Sequence, residues 1–215
     1  MFIGNYLHEP NWDALLYLKQ KIWPLIRLQL PEAKLNIYGA YATKKVTDLN
    51  NQKEGFLVHG RIENASDAFL KSRINLAPLR FGAGQKGKLI EAMAYNLPSI
   101  TSSIGAEGIS SAENWNGFVT DDWSEFADYA IQIYKDETLW NKATEVGNQI
   151  LLNEFDAVKL TELLFIQLNN LLEHQEIHRQ NNFLGQILNS NNQNSYKYLS
   201  KWIEQKNSNS NNSNQ

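Results

Sequence analysis

The chain has 215 residues, 42% of them hydrophobic, with no cysteine and a formal net charge of −3. That is enough for one domain of ordinary size plus a tail, and short for two full domains. There is no strongly basic half to meet nucleic acid, no thiol for a disulfide or a zinc site, and no run of about twenty apolar residues to span a bilayer.

The chain opens at once on a strand-like run, "FIGNY", with no basic leader and no long apolar lead-in. A cytoplasmic location is the expectation, and the missing cysteines agree with a reducing compartment. "NWDALLYLKQKIWPLIRLQL" follows with apolar residues near helical period. Asn11 is its expected N-cap, and Pro24 is expected to kink it or end a first segment. "AKLNIYG" and "FLVHG" read as the second and third strands, and "ENASDAFLKSR" as a short helix. "INLAPL" is a fourth strand, and a helix is expected near Lys86 to Asn96. "PSITSS" and "GFVT" are the last two strands. Two helices, "WSEFADYAIQIYKD" and "ETLWNKATEVGNQILLN", come next, then a long amphipathic one over roughly 157–178. Short apolar strands alternating with helices predict βαβ units, a parallel sheet and helices on both faces.

Beyond about residue 180 the composition turns to Asn, Gln and Ser, which cannot bury enough surface to order themselves. One island, "SYKYLSKWIEQK", places Tyr198, Leu199, Trp202 and Ile203 on one helical face that must dock somewhere. A peripheral membrane contact and an absent domain both suit it. His174 and His178 share a helix face; with no third ligand they read as solvated surface, so no metal site is expected.

"PLRFGAGQKGKLIEAMAYNLPSI" carries the chemistry. It leaves the fourth strand at the carboxyl edge of the sheet, where open α/β sheets bind ligands. Gly82, Gly84 and Gly87 let backbone N–H groups turn toward a ligand, and the helix start adds unpaired donors. Arg80, Lys86 and Lys88 add charge, so an anion such as phosphate is expected there. It is no Walker A loop, because Leu89 stands where the hydroxyl residue belongs. Glu91, one turn inside the helix, has two readings: a weak pair with Lys88, or an acceptor for sugar hydroxyls. The glycines have a bland reading too, as a simple turn.

The longer run "FGAGQKGKLIEAMAYNLPSITSSIGAEGI" resembles the nucleotide-sugar half of GT-B glycosyltransferases of group 1 (family 4). Glu91–Ala94, Leu97–Pro98 and Ser99–Thr101 fill the places of that family's E-A-M-A-like and G-x-P-V-V signatures. "FIGNYLHEPNWDAL", "LNIYGA" and "VHGRIEN" are similar to its first strands, so the likeness covers roughly residues 1–175.

The resemblance implies a Rossmann-like donor-binding domain over 1–178 with its closing helix. A linker with a short amphipathic helix would fill 179–206, and a disordered tail 207–215. It implies that Glu91 holds the donor ribose rather than acting as acid or base. Gly82, Gly84, Leu89 and Arg80 join the substrate-binding set, and Lys86 and Lys88 stabilise the leaving diphosphate as the catalytic pair. Gly60, Arg61 and Ile62 border the base, and the stretch from Ser103 to Gly108 either shapes the pocket edge or is an ordinary turn. The implied activity is retaining, metal-independent sugar transfer in glycan assembly. No cofactor is implied beyond the nucleoside diphosphate sugar. An N-terminal acceptor-binding domain is the expected partner, and an inactive nucleotide-sugar-binding module is the alternative.

Two departures stand out. The family's first carboxylate falls on Ala83, and the basic residues after its first strand are replaced by a region holding Asn5 and Asn11.

Overall fold

The computed structural model describes residues 1–212, the side chains of 190–194 and 206–212 excepted. The chain divides into two compact units, Met1–Asp156 and the residues from Ala157 on.

The first unit contains two three-stranded parallel sheets. One has the order β1 (Phe2–Ile3), β2 (Leu35–Tyr38), β3 (Phe56–Gly60), the other β4 (Asn75–Ala77), β5 (Ser99–Thr101), β6 (Gly117–Val119). Phe2 pairs with Ile37, and Leu76 with Ile100. The sheets meet at β1 and β4, where the Leu76 N–H donates to the Met1 carbonyl at 2.9 Å. Across that seam the strand order is 3-2-1-4-5-6, the doubly wound order with its reversal between β1 and β4.

Every residue of β4 and β5 is buried, as strands covered on both faces require. Successive side chains point to opposite faces. Leu76 and Ile100 join a core with Leu15, Leu18, Ile22 and Phe126, residues of the helices α1 (Glu9–Tyr17) and α7 (Trp123–Lys135) and of the turn that follows α1. Ala77 joins the other core with Leu89, Met93 and Ile150, carried by α5 (Gly87–Ala94) and α8 (Glu137–Glu154). Asn64 caps α4 (Ala65–Leu70), Ser102 caps α6 (Ser103–Ala106), and Asp122 and Asp136 cap α7 and α8; each side chain accepts from a first-turn N–H. Such a cap contributes about 1 kcal/mol.

The first helix differs from expectation. It starts at Glu9 with His8 at the N-cap and Pro10 in the first turn, so Asn11 lies inside it, buried. α1 runs through a π-helical turn (Leu18–Ile22) into α2 (Trp23–Gln29). Pro24 sits in the first turn of α2, where its missing N–H is tolerated. The break is thus a local widening of the helix rather than an end. α3 (Lys44–Thr47) and α6 are four-residue helices, too short to leave a periodic trace in the sequence.

The second unit is helical: α9 (Ala157–Glu173), α10 (Gln175–Asn181) and α11 (Phe183–Asn212). The helix expected over 157–178 breaks at His174 and resumes as α10. α11 begins where the Asn182 side chain accepts from the Gly185 N–H at 2.8 Å. It then runs through the Asn- and Ser-rich segment, which has no proline or glycine after Gly185 to stop it. Residues 207–212 of the expected tail continue α11, and 213–215 lie outside the described residues. On α9, Leu163, Leu164, Phe165 and Ile166 are exposed in succession, on all sides of the helix. Among the described residues no helix is long and apolar enough to cross a membrane.

Candidate functional site

The chain reversal between β1 and β4 brings three segments together at the carboxyl edge: the turn after β1, the glycine loop after β4, and the start of α5. The turn after β1 is packed tightly. The Lys88 ammonium, from the first turn of α5, donates to Asn11 Oδ1 at 2.6 Å, and Asn11 Nδ2 donates to the Asn5 carbonyl at 2.9 Å. Lys88 Nζ also lies 4.5 Å from the centre of the Phe2 ring. A side chain at Gly4 would come within 2.8 Å of Asn11 and 3.0 Å of Lys88 Nζ, so this crossing needs a glycine.

Burial pushes the Lys88 pKa down to about 7. The unfolded chain therefore binds a proton between about pH 7 and 10.5 that the folded chain does not, and stability rises with pH through that window. Relative to Lys88→Met, the wild-type chain is expected to gain about 2 kcal/mol between pH 7 and 9. Urea unfolding of both proteins at the two pH values checks this; a constant difference would show that the amine stays charged in the fold.

The glycine loop follows. Gly82 and Gly84 have φ of +136° and +73°, values that L side chains rarely adopt. A Cβ at Gly84, Gly87 or Gly60 would meet nothing within 4 Å, so the backbone at all three faces open space. Lys86 is the N-cap residue of α5. Its side chain is 8% exposed, and its buried Nζ lies 3.6 Å from Glu107 Oε2 with no hydrogen-bond partner among the described residues. The loop tip is also tied to the turn after α6, where Gln85 Nε2 donates to the Gly108 carbonyl at 2.7 Å.

Three cations were expected around one anion, and the structure separates them. Arg80 Nε and Nη2 donate to the two carboxylate oxygens of Asp13 at 2.8 and 2.5 Å, and Nη1 donates to the Tyr17 hydroxyl at 2.8 Å. Its guanidinium also lies 3.8 Å from the centre of the Tyr17 ring. Arg80 thus fastens the root of the loop to α1. Lys88 is turned inward to Asn11, which leaves Lys86 as the cation at the loop itself. Glu107 meets the Lys86 ammonium as an ion pair at 3.6 Å, but none of the ammonium's N–H donors makes a hydrogen bond among the described residues, which is costly for a buried group. Beside a helix N-terminus and open glycine backbone, that arrangement suits an anion.

Glu91 is exposed one turn into α5. At the far side, Gly60 has φ of +74° and its carbonyl accepts from the Gly39 N–H at 2.7 Å. Arg61 is exposed, and Ile62 packs against the cluster of Ala68 and Phe69. Leu89 does not fit the substrate-binding set: its side chain is fully buried in the core, and its N–H donates to the Lys86 carbonyl at 2.8 Å. Sequence reading did not pair Asp13 with Arg80, and it named Glu107 only within the stretch Ser103 to Gly108, as a pocket edge or an ordinary turn. Each pairs with a residue well removed along the chain, Asp13 with Arg80 and Glu107 with Lys86.

Comparison with known proteins bears on the family. The chain is 22% identical over 172 residues to an uncharacterised 44.6 kDa protein in the cps region of Klebsiella pneumoniae, covering 77% of this chain and 44% of that protein. A structure of S. aureus TarM solved with UDP among its ligands superposes with a TM-score of 0.63 at 17% identity, over 75% of this chain and 33% of TarM. The C-terminal domain of LpcC, a group 1 glycosyl transferase of Francisella tularensis, superposes with a TM-score of 0.57 at 13% identity, over 73% of this chain and 85% of that domain. The chain therefore spans less than half of the Klebsiella and S. aureus proteins. Residues 1–136, well over half of the sequence, match the family described as Glycosyl transferases group 1. By that match, and with the strand order and helix placement of such a C-terminal domain, the chain belongs to the group 1 glycosyl transferase family.

Proposed function

We propose that residues 1–156 are the donor-binding half of a glycosyltransferase and take a nucleoside diphosphate sugar at the carboxyl edge of β1 and β4. One observation carries this reading. The Lys86 ammonium is buried without a hydrogen bond at the N-terminus of α5, beside glycine backbone that faces open space. In the proposed site the diphosphate meets Lys86 and the N–H groups of the loop. Negative charge that develops on the leaving diphosphate is stabilised there, with the helix end and ammonium serving where a divalent ion would in a metal-dependent enzyme. Lys88 holds the turn after β1 in place, Glu91 accepts from the ribose hydroxyls, and the turn at Gly60 and Arg61 borders the base. A retaining transfer in cytoplasmic glycan assembly is the reaction that the family resemblance suggests.

A second reading has its own observation. The chain spans 44% of the Klebsiella protein and 33% of TarM, and the family resemblance implies an N-terminal acceptor-binding domain beside the donor-binding half. On that reading residues 1–156 hold the nucleotide sugar, and transfer needs an N-terminal acceptor-binding half as well. The succession of exposed apolar residues on α9 is the surface that such a half would cover.

A thermal-shift panel of UDP, GDP, ADP and their sugar conjugates tests the site. A ligand at about one hundred times its Kd adds roughly 2.7 kcal/mol, which raises Tm by roughly 5–10 °C in a chain of this size. One base is expected to give that shift, and Glu91→Ala to shrink it. If no nucleotide moves Tm, the nucleotide site does not exist.

A further inference from the structure

We infer that Glu107 is the carboxylate that recognises the sugar of the donor, standing in from a neighbouring loop for the one absent at Ala83. The inference rests on the nucleotide-sugar reading of the site.

The glycine loop cannot supply such a group itself. From Arg80 to Ile90 the sequence is RFGAGQKGKLI, with no acid. Asp13 has both oxygens committed to Arg80, and Glu91 lies a helical turn beyond the loop. Glu107 is different. It follows α6, and the bond from Gln85 to the Gly108 carbonyl holds its turn against the loop tip. Its Oε2 is 3.6 Å from Lys86 Nζ, too far for a hydrogen bond, and 62% of its side chain is exposed.

In a nucleoside diphosphate sugar the sugar is bonded to the distal phosphate. With Lys86 on the distal phosphate, a side chain that borders its ammonium is placed beside the sugar. A bare carboxylate next to a diphosphate is repelled, but one that accepts from hydroxyls gains charge-assisted bonds. Its two oxygens suit a pair of neighbouring hydroxyls. The ligand class is thus a hexose with adjacent free hydroxyls on the face toward α6. The rival explanation is that Glu107 only neutralises Lys86.

Titration calorimetry on the 215-residue chain separates the two. The ligands are UDP, GDP and ADP, then UDP-glucose, GDP-mannose and ADP-glucose. Glu107→Ala is expected to weaken the preferred conjugate about tenfold, while its parent diphosphate binds within about twofold of wild type or more tightly, since a competing anion has left Lys86. Glu107→Gln, which keeps one acceptor oxygen, is expected to fall between. An equal change for conjugate and diphosphate, gain or loss, would assign Glu107 to Lys86 alone, and no change in either would place it outside the site; both overturn the inference. So does a wild-type chain that binds a diphosphate but none of the conjugates, which leaves the nucleotide site standing. A wild-type chain that binds no diphosphate removes the nucleotide reading and the inference with it. The Glu107 side chain is largely exposed, and a melt of each variant confirms that it is folded.

Discussion

Gly39→Ala is expected to lower Tm by roughly 10 °C, a large loss of stability for a single methyl group. Its Cβ would fall 2.0 Å from the Gly4 carbonyl oxygen and 2.6 Å from the Tyr6 ring. Neither neighbour can yield cheaply. The Gly4 N–H donates to the Tyr38 carbonyl at 3.0 Å, the Tyr6 N–H donates to the Ala40 carbonyl at 3.2 Å, and Tyr6 is buried. The turns after β1 and β2 are thus laced together just where the methyl must go, and overpacking of that kind costs on the order of 3 kcal/mol. Gly87→Ala is the matched control, because its Cβ would meet nothing within 4 Å. Circular dichroism melts of the two variants decide the matter; equal Tm values would mean that the turns separate without cost.

Lys86→Ala is expected to weaken the preferred nucleoside diphosphate about 10- to 100-fold, the range for loss of a charged hydrogen-bond donor. The unliganded protein loses no hydrogen bond at that ammonium, only its ion pair with Glu107 and the packing of the buried stem. The same substitution leaves the Glu107 carboxylate beside the vacated space, which adds repulsion toward a phosphate. Lys86→Arg should recover only part of the affinity, because a planar fork does not fill the place of a compact ammonium. Calorimetric titration of the three proteins measures the effect. If Lys86→Ala binds the diphosphate as tightly as wild type, the charge that holds it lies elsewhere.

The strands were legible because their signals are local. Phe56–Gly60 is the run "FLVHG" with its closing glycine, and α5 follows the apolar stripe of Leu89, Ala92 and Met93. The place of the glycine loop was legible too: it leaves β4 at the carboxyl edge and leads into α5. The use of each charge was not. Arg80 reaches Asp13 over 67 positions, and Lys88 reaches Asn11 over 77. Nothing in a run of letters reveals which cations the chain consumes internally and which it leaves for a ligand. The start of α1 was misplaced for a related reason: Asn11 is a good capping residue in isolation, but its side chain is drawn into the crossing with Asn5 and Lys88.

The tie from Arg80 to Asp13 and Tyr17 has a bearing on how tightly any ligand is gripped. With Arg80 fastened at one end and Gln85 at the other, Phe81–Gly84 spans a gap whose two banks are already fixed. Glycine is the residue with the most backbone freedom to surrender, and two of those four residues are glycines. Anchoring both ends moves much of that entropic loss into folding, before a ligand arrives, so more of the contact energy survives as affinity.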